Sequence, residues 1–157
     1  MATSTHPGFK ADHARLRKSI DEFRVAAREL GELSLAEREL LVARIIAFLD
    51  RSVIPYADAE EIYIYPAIER LLGERAMARM LRDHVVIADF IEDLSSADVS
   101  RTSELQETLY DLQGVLDTHF DKEDEIYLPL LEELPLAEQE RLFQAMAEVE
   151  VEVEAEA

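Results

Sequence analysis

One apolar seam in the second half of the chain advances in steps of three and four: Leu105, Leu109, Leu112, Leu116, His119, Glu123, Ile126, Leu130. That spacing keeps one face of an α-helix turned toward a core. His119 and Glu123 interrupt the seam without breaking its register. Four residues apart, they lie one helical turn apart on the buried face. A carboxylate there is costly unless it is paired, hydrogen-bonded or bound to a metal. His119-x3-Glu123 therefore reads as half of a metal site, and the rest of the chain must supply the other half.

The remaining seams do so. A first helix is expected from about Phe9 to Leu30, ended by Gly31, with His13, Leu16, Ile20, Phe23, Ala27 and Leu30 on one face. Ser34-Leu35-Ala36-Glu37 fits a capping box and opens a second helix. Its seam is Leu41, Ile45, Phe48, Leu49, Val53, Tyr56, Glu60, Tyr63. Pro55 predicts a kink or bulge beside Tyr56. Pro66 predicts the end of the regular helix, with a turn running to Gly73. A third helix, from near Glu74 to Ser95, carries Met77, Leu81, His84, Ile87, Ile91 and Leu94. After a polar loop, the fourth runs from about Ser103 to Pro129. A short fifth helix, Pro135 to Met146, puts Leu136, Leu142, Phe143 and Met146 on its apolar side. These elements make one domain over residues 9–147. Residues 1–8 read as a flexible lead in which His6 is an exposed tail histidine, and residues 148–157 as a frayed acidic tail.

A single shift aligns Tyr56 with His119, Glu60 with Glu123, Glu61 with Asp124 and Pro66 with Pro129. Asp12-His13 likewise matches Asp83-His84. The chain is thus two helical hairpins built to one plan, and short connections make neighbours antiparallel. The expected fold is all-α, an up-down-up-down four-helix bundle with a short C-terminal fifth helix. In that arrangement His13, Tyr56, Glu60, His84, His119 and Glu123 reach one layer of the core.

Composition closes off other functions. The 157 residues carry a formal net charge of −19, which disfavours nucleic acid and anionic membranes as partners. There is no cysteine, hence no disulfide, thiolate zinc site or iron–sulfur cluster. No stretch approaches the ~20 apolar residues of a membrane span, and the N-terminus lacks the apolar region of a signal peptide. A cytoplasmic location is the simplest expectation.

Three imidazoles, two carboxylates and one phenol suit iron, manganese or zinc and not copper(I). Paired carboxylates on facing helices are placed to bridge two metals. The order His13, Tyr56-x3-Glu60, His84, His119-x3-Glu123, with flanks Glu60-Glu61-Ile62-Tyr63-Ile64-Tyr65-Pro66 and Glu123-Asp124-Glu125-Ile126-Tyr127-Leu128-Pro129, resembles the hemerythrin-like, HHE cation-binding family. The resemblance spans residues 9–132. It implies two iron ions joined by an oxo or hydroxo bridge, with His13, His84 and His119 as terminal ligands and Glu60 and Glu123 as bridges.

Two positions depart from the family pattern. Tyr56 stands where a histidine is expected, and Ala88 where oxygen carriers of the family have an extra histidine. Reversible oxygen carriage is therefore not the expected activity. A phenolate at Tyr56 is a hard anion that favours ferric iron, and a tyrosine also holds the iron of haem catalases. The chain is similar to a tyrosine-bearing branch found in mycobacteria and associated with peroxide decomposition. The resemblance thus implies catalase-like turnover of hydrogen peroxide, with Tyr56 as its catalytic residue. Sensing or binding of dioxygen, nitric oxide or iron is the alternative. Tyr63, Tyr65 and Tyr127 read as packing residues, and Glu61 and Asp124 as solvent-facing or supporting groups.

Overall fold

The computed structural model describes residues 7–156; residues 1–6, His6 among them, and residue 157 lie outside the described residues. Helix α1 spans Pro7–Arg28 and closes with a 3₁₀ turn, Leu30–Glu32. Ser34 then caps α2, Leu35–Phe48. Its hydroxyl accepts from the Glu37 amide at 3.1 Å, while the Glu37 carboxylate accepts from the Ser34 amide at 2.7 Å. Both halves of the expected capping box are therefore made.

The second arm continues as one rod. It passes through a π-helical turn (Leu49–Val53), α3 (Ile54–Ala59), a second π turn (Glu60–Ile64) and α4 (Tyr65–Leu72). Gly73 ends it at φ 110°, a backbone region that favours glycine. Helix α5 follows at Ala78–Ser95 and α6 at Thr102–Lys122. The fourth arm ends in a third π turn, Glu123–Tyr127, and a 3₁₀ segment, Leu128–Glu133. Helix α7 spans Leu136–Glu156.

All three π turns share one cause. A proline follows each of them, at 55, 66 and 129. The residue just before it (Ile54, Tyr65, Leu128) sends its amide five residues back, to the carbonyls of Leu49, Glu60 and Glu123. Proline donates no hydrogen bond and its ring crowds the carbonyl four residues behind it. A widened turn absorbs both effects and lets the helix continue. The bulge expected at Pro55 is present. Pro66, expected to end the helix, instead sits in the first turn of α4, which runs to Leu72.

Each π turn inserts a residue and rotates the downstream face. Tyr63 and Ile126, placed on the buried seams by α-helical counting, are 39% and 52% exposed. Ile64, Tyr65 and Leu128 are buried in their stead. On α5 the seam shifts from Leu81 to Met80, and on α7 Leu136 is exposed while Met146 is fully buried. Helix α7 also extends past the expected end at Met146, to Glu156.

The described residues contain no strand. Helix α1 packs on α2 and α6, and α5 packs on α2 and α6, closing a four-helix ring. Helix α7 lies against α3 and the Glu60–Ile64 turn. At one end of the bundle, buried Arg38 ties the α1–α2 turn to the α5–α6 loop. Its guanidinium donates to the Leu33 carbonyl at 3.2 Å, the Val99 carbonyl at 3.0 Å and the Thr102 hydroxyl at 2.7 Å. The buried polar layer lies toward the other end, near the Gly73 turn. No described helix is long and apolar enough to cross a membrane.

Candidate metal centre

Four arms of the bundle each bring polar side chains to one buried layer. Glu60 opens the second π turn and Glu123 the third, so the two repeat-related carboxylates occupy the same local backbone geometry. His84 projects from α5, His119 from the last turn of α6, and His13 from α1. All five side chains are buried. One donor atom each from Glu60, His84, His119 and Glu123 falls within 4.8 Å of the others. His13 joins through Glu123, its Nε2 lying 3.1 Å from Oε2. Tyr56 is buried on the same side, its ring packed edge-on against the His13 ring at 5.7 Å between centroids. Of the six residues expected to meet, Glu60, His84, His119 and Glu123 converge tightly, His13 reaches Glu123, and Tyr56 packs against His13.

Each histidine is held from behind by a carboxylate. Nδ1 of His13 meets Asp124 Oδ1 at 2.5 Å, Nδ1 of His84 meets Glu61 Oε1 at 2.7 Å, and Nδ1 of His119 meets Asp83 Oδ2 at 3.0 Å. With Nδ1–H donated outward, Nε2 presents its lone pair to the interior, which is how metal-binding imidazoles are oriented. Two of the carboxylates carry cations on their outer side: Arg17 donates to Asp124 at 3.1 Å, and Lys122 to Asp83 at 2.6 Å. Glu61 and Asp124 are related by the repeat and do the same work in the two halves. Asp83 escaped the sequence reading as a site residue. Its signal was the Asp12-His13 and Asp83-His84 match, but the histidine it holds is His119 and not its neighbour.

The layer has the chemistry of a cation site. Nε2 of His84 and Nε2 of His119 face each other at 3.2 Å. Nε2 of His13 and Oε2 of Glu123, both fully buried, face each other without hydrogen-bond geometry and have no other hydrogen-bond partner. Buried polar atoms are normally paired. Buried ligand groups gathered this way, with the Nε2 of each imidazole turned inward, fit a metal ion as their common partner once it displaces the proton on His13.

The protonation states follow from the crowding. Burial resists charge on His13, yet the hydrogen bond to Asp124 and the adjacent Glu123 carboxylate prevail and raise its pKa to about 9. Burial, reinforced by the charge on Glu123, pushes Glu60 well above the usual carboxylate range. Burial acts the same way on Glu123, but the His119 imidazole and the nearby His13 ring override it and pull Glu123 down. Burial lowers His84, and His119 rises against burial through Glu123 and Asp83.

Tyr65, expected only to pack, lies in the site. Its hydroxyl donates to Glu123 Oε1 at 2.7 Å and lies 3.1 Å from His84 Nε2. Burial and the Glu60 and Glu123 carboxylates push its pKa far up, so in the metal-free site it holds its proton. The missed signal is the π turn: in an i to i+5 register, Tyr65 stacks one turn beyond Glu60.

No curated protein and no solved structure matches the chain. The family model of the hemerythrin HHE cation-binding domain matches residues 7–131. With that match and the buried glutamate–histidine cluster, the chain is a metal-binding module and belongs to the hemerythrin HHE cation-binding family.

Proposed function

We propose that His13, Tyr56, Glu60, His84, His119 and Glu123 hold two iron ions, and that the centre decomposes hydrogen peroxide in a catalase-like reaction. The observation that carries this reading is the pair of orphaned, fully buried atoms, His13 Nε2 and Glu123 Oε2, beside a second cluster that shares Glu123. A carboxylate with one oxygen toward each cluster is placed to bridge two metals, and Glu60 is its repeat-related partner. Iron, when bound, supplies the redox capacity that peroxide decomposition requires.

The chain's own residues define how that capacity is used. Asp124, Glu61 and Asp83 fix the three imidazoles as lone-pair donors. The leucine seams of α1 and α6 exclude bulk water from one side of the layer. Tyr56 lies where the repeat has His119, and a phenolate there favours the ferric state over the ferrous state that binds dioxygen. That substitution supports peroxide as the small-molecule partner over reversible dioxygen or nitric oxide binding.

Metal analysis of the chain expressed in iron-replete medium, paired with a peroxide assay, tests the reading. Two irons per chain and oxygen evolution abolished by His119→Ala support it. Iron content near zero overturns the metal centre. A full complement of iron with no oxygen evolution overturns the peroxide activity and leaves sensing as the function.

A further inference from the structure

We propose that Tyr65 is a metal ligand, completing the coordination of the ion held by His84, His119 and Glu123. The proposal rests on the metal-centre reading above and adds a residue to it. Four donor atoms form a closed ring: Tyr65 Oη to His84 Nε2 at 3.1 Å, His84 Nε2 to His119 Nε2 at 3.2 Å, His119 Nε2 to Glu123 Oε1 at 3.0 Å, and Glu123 Oε1 back to Tyr65 Oη at 2.7 Å. Donor atoms bonded at about 2.1 Å to one metal and at right angles to each other stand about 3.0 Å apart. The ring has those edges on all four sides. Three of its corners are residues that the repeat pattern already singles out. The fourth is a phenol.

Backbone geometry explains why this tyrosine reaches the ring. Glu60 begins the π turn and Tyr65 follows it five residues later, one wide turn along the same face. The amide of Tyr65 bonds the Glu60 carbonyl, which locks the two side chains in register. Pro66, immediately after, enforces that turn. In the second half of the chain the same place is held by Leu128, which is buried and cannot ligate. The two metal positions are therefore unlike: one has Tyr65 with two histidines, the other has His13 with Tyr56 at its side.

In the metal-free site the phenol keeps its proton and donates a hydrogen bond to Glu123. On metal binding the O–H bond breaks, the Oη–metal bond forms, and the proton leaves to solvent. A divalent or trivalent cation at the centre of the ring reverses the local electrostatics that otherwise keep the phenol neutral.

The test uses the full chain loaded with iron(III). A phenolate on iron(III) gives a visible charge-transfer band. Tyr56→Phe should keep such a band, Tyr65→Phe should shift and weaken the wild-type band, and the double variant should be colourless. Tyr63→Phe, altering the exposed tyrosine two residues away, should leave the spectrum untouched. Zinc titration should show Tyr65→Phe weakening one of two sites roughly tenfold or more. Resonance Raman of the wild type, which requires no variant to fold, should show two phenolate ring signatures. Loss of all colour in an iron-loaded Tyr56→Phe, or an unchanged spectrum in Tyr65→Phe, overturns the ligand; a single Raman signature that persists in Tyr56→Phe supports Tyr65 and overturns Tyr56 instead. A wild type that takes up no metal overturns the centre itself, a result distinct from loaded iron without a second phenolate.

Discussion

Glu60 and Glu123 occupy the same position in the two halves of the chain, both fully buried at the head of a π turn, yet they differ in charge. Glu60 is pushed toward its neutral form by burial and by Glu123, whereas His119 and His13 keep Glu123 ionised. Without metal, then, the layer stores protons on Glu60 and on His13. A metal has to displace them.

This storage sets a pH dependence. His13 has a folded pKa of about 9 against an ordinary value of 6.5. Its contribution to the stability of the metal-free fold is therefore complete below about 6.5 and is lost as pH rises through about 9. Raised Glu60 acts in the same sense from 4.5 upward. The lowered carboxylates Glu123, Asp124 and Asp83 are already ionised across that window and contribute no slope. Melting of the metal-free chain should thus fall from pH 6.5 to 9, while zinc affinity should rise over the same range. Parallel thermal melts and zinc titrations at pH 6.5, 7.5 and 9 check both slopes. Equal melting temperatures at all three would contradict a protonated His13.

The carboxylates behind the histidines should matter almost as much as the ligands. Replacing Asp124 with Asn leaves a side chain of the same size that still reaches His13 but carries no charge. Asp83→Asn does the same behind His119, and Glu61→Gln behind His84. Each should weaken metal binding by roughly 10–100-fold. Glu61→Gln should be the mildest for stability, because Glu61 is the most exposed of the three and pairs with no Lys or Arg among the described residues, whereas Asp83 pairs with Lys122 and Asp124 shares Arg17 with Asp121. Isothermal titration with zinc separates affinity from folding.

Seam counting from the sequence places His13, Glu60, His84, His119 and Glu123 inside and gives the helices their order, because the steps of three and four that lead to each of them stay on the buried face, across the Leu49–Val53 π turn as well. Beyond Glu60 and Glu123 the count fails. The π turns that begin at Glu60 and Glu123 each add one residue, so Tyr63 and Ile126 turn outward and Ile64, Tyr65 and Leu128 turn in. Prolines 55 and 66 are visible as disturbances and Pro129 as a helix end, but periodicity alone does not say whether a helix stops at a proline or widens before it. Tyr65 was lost to that ambiguity, and Asp83 to a contact between different helices that no local spacing encodes.

The register itself can be measured. Ile64→Ala should cost about 2–5 kcal/mol, as expected for deletion of a fully buried branched side chain. Tyr63→Ala, one residue earlier, should cost about 0.5 kcal/mol or less. An uninterrupted α-helix predicts the reverse order. Leu128→Ala against Ile126→Ala repeats the comparison in the second half. Urea denaturation of the four metal-free variants decides it.

The start of α1 is clamped by α7. A Cβ on Gly8 would overlap the ring of Phe143, which packs edge-on against Phe9 at 5.7 Å. Gly8→Ala should therefore cost about 1–3 kcal/mol through forced repacking. Phe143→Leu in the same background should recover part of that loss by clearing the space. A double-mutant cycle in urea reads the coupling, and simple additivity would show that the two residues do not touch.

Restoring the repeat tests what its breakage does. Tyr56→His makes the first copy identical to His119-x3-Glu123, with Asp12 in the place that Asp83 holds in the second copy. Asp83 accepts from Nδ1 of His119 at 3.0 Å, and Asp12 is buried on α1 one residue before His13. An imidazole at position 56 therefore has the groundwork of a metal ligand, and the variant should still load two metals. It would replace an anionic donor with a neutral one, removing the preference for ferric iron at that position. Peroxide decomposition should fall on the order of tenfold or more, a magnitude typical of altering the surroundings of a metal, while the ferrous form becomes easier to reach by reduction. Iron content, oxygen evolution and a reductive titration on one preparation separate these effects. Unchanged turnover with intact iron would show that Tyr56 has no part in the reaction.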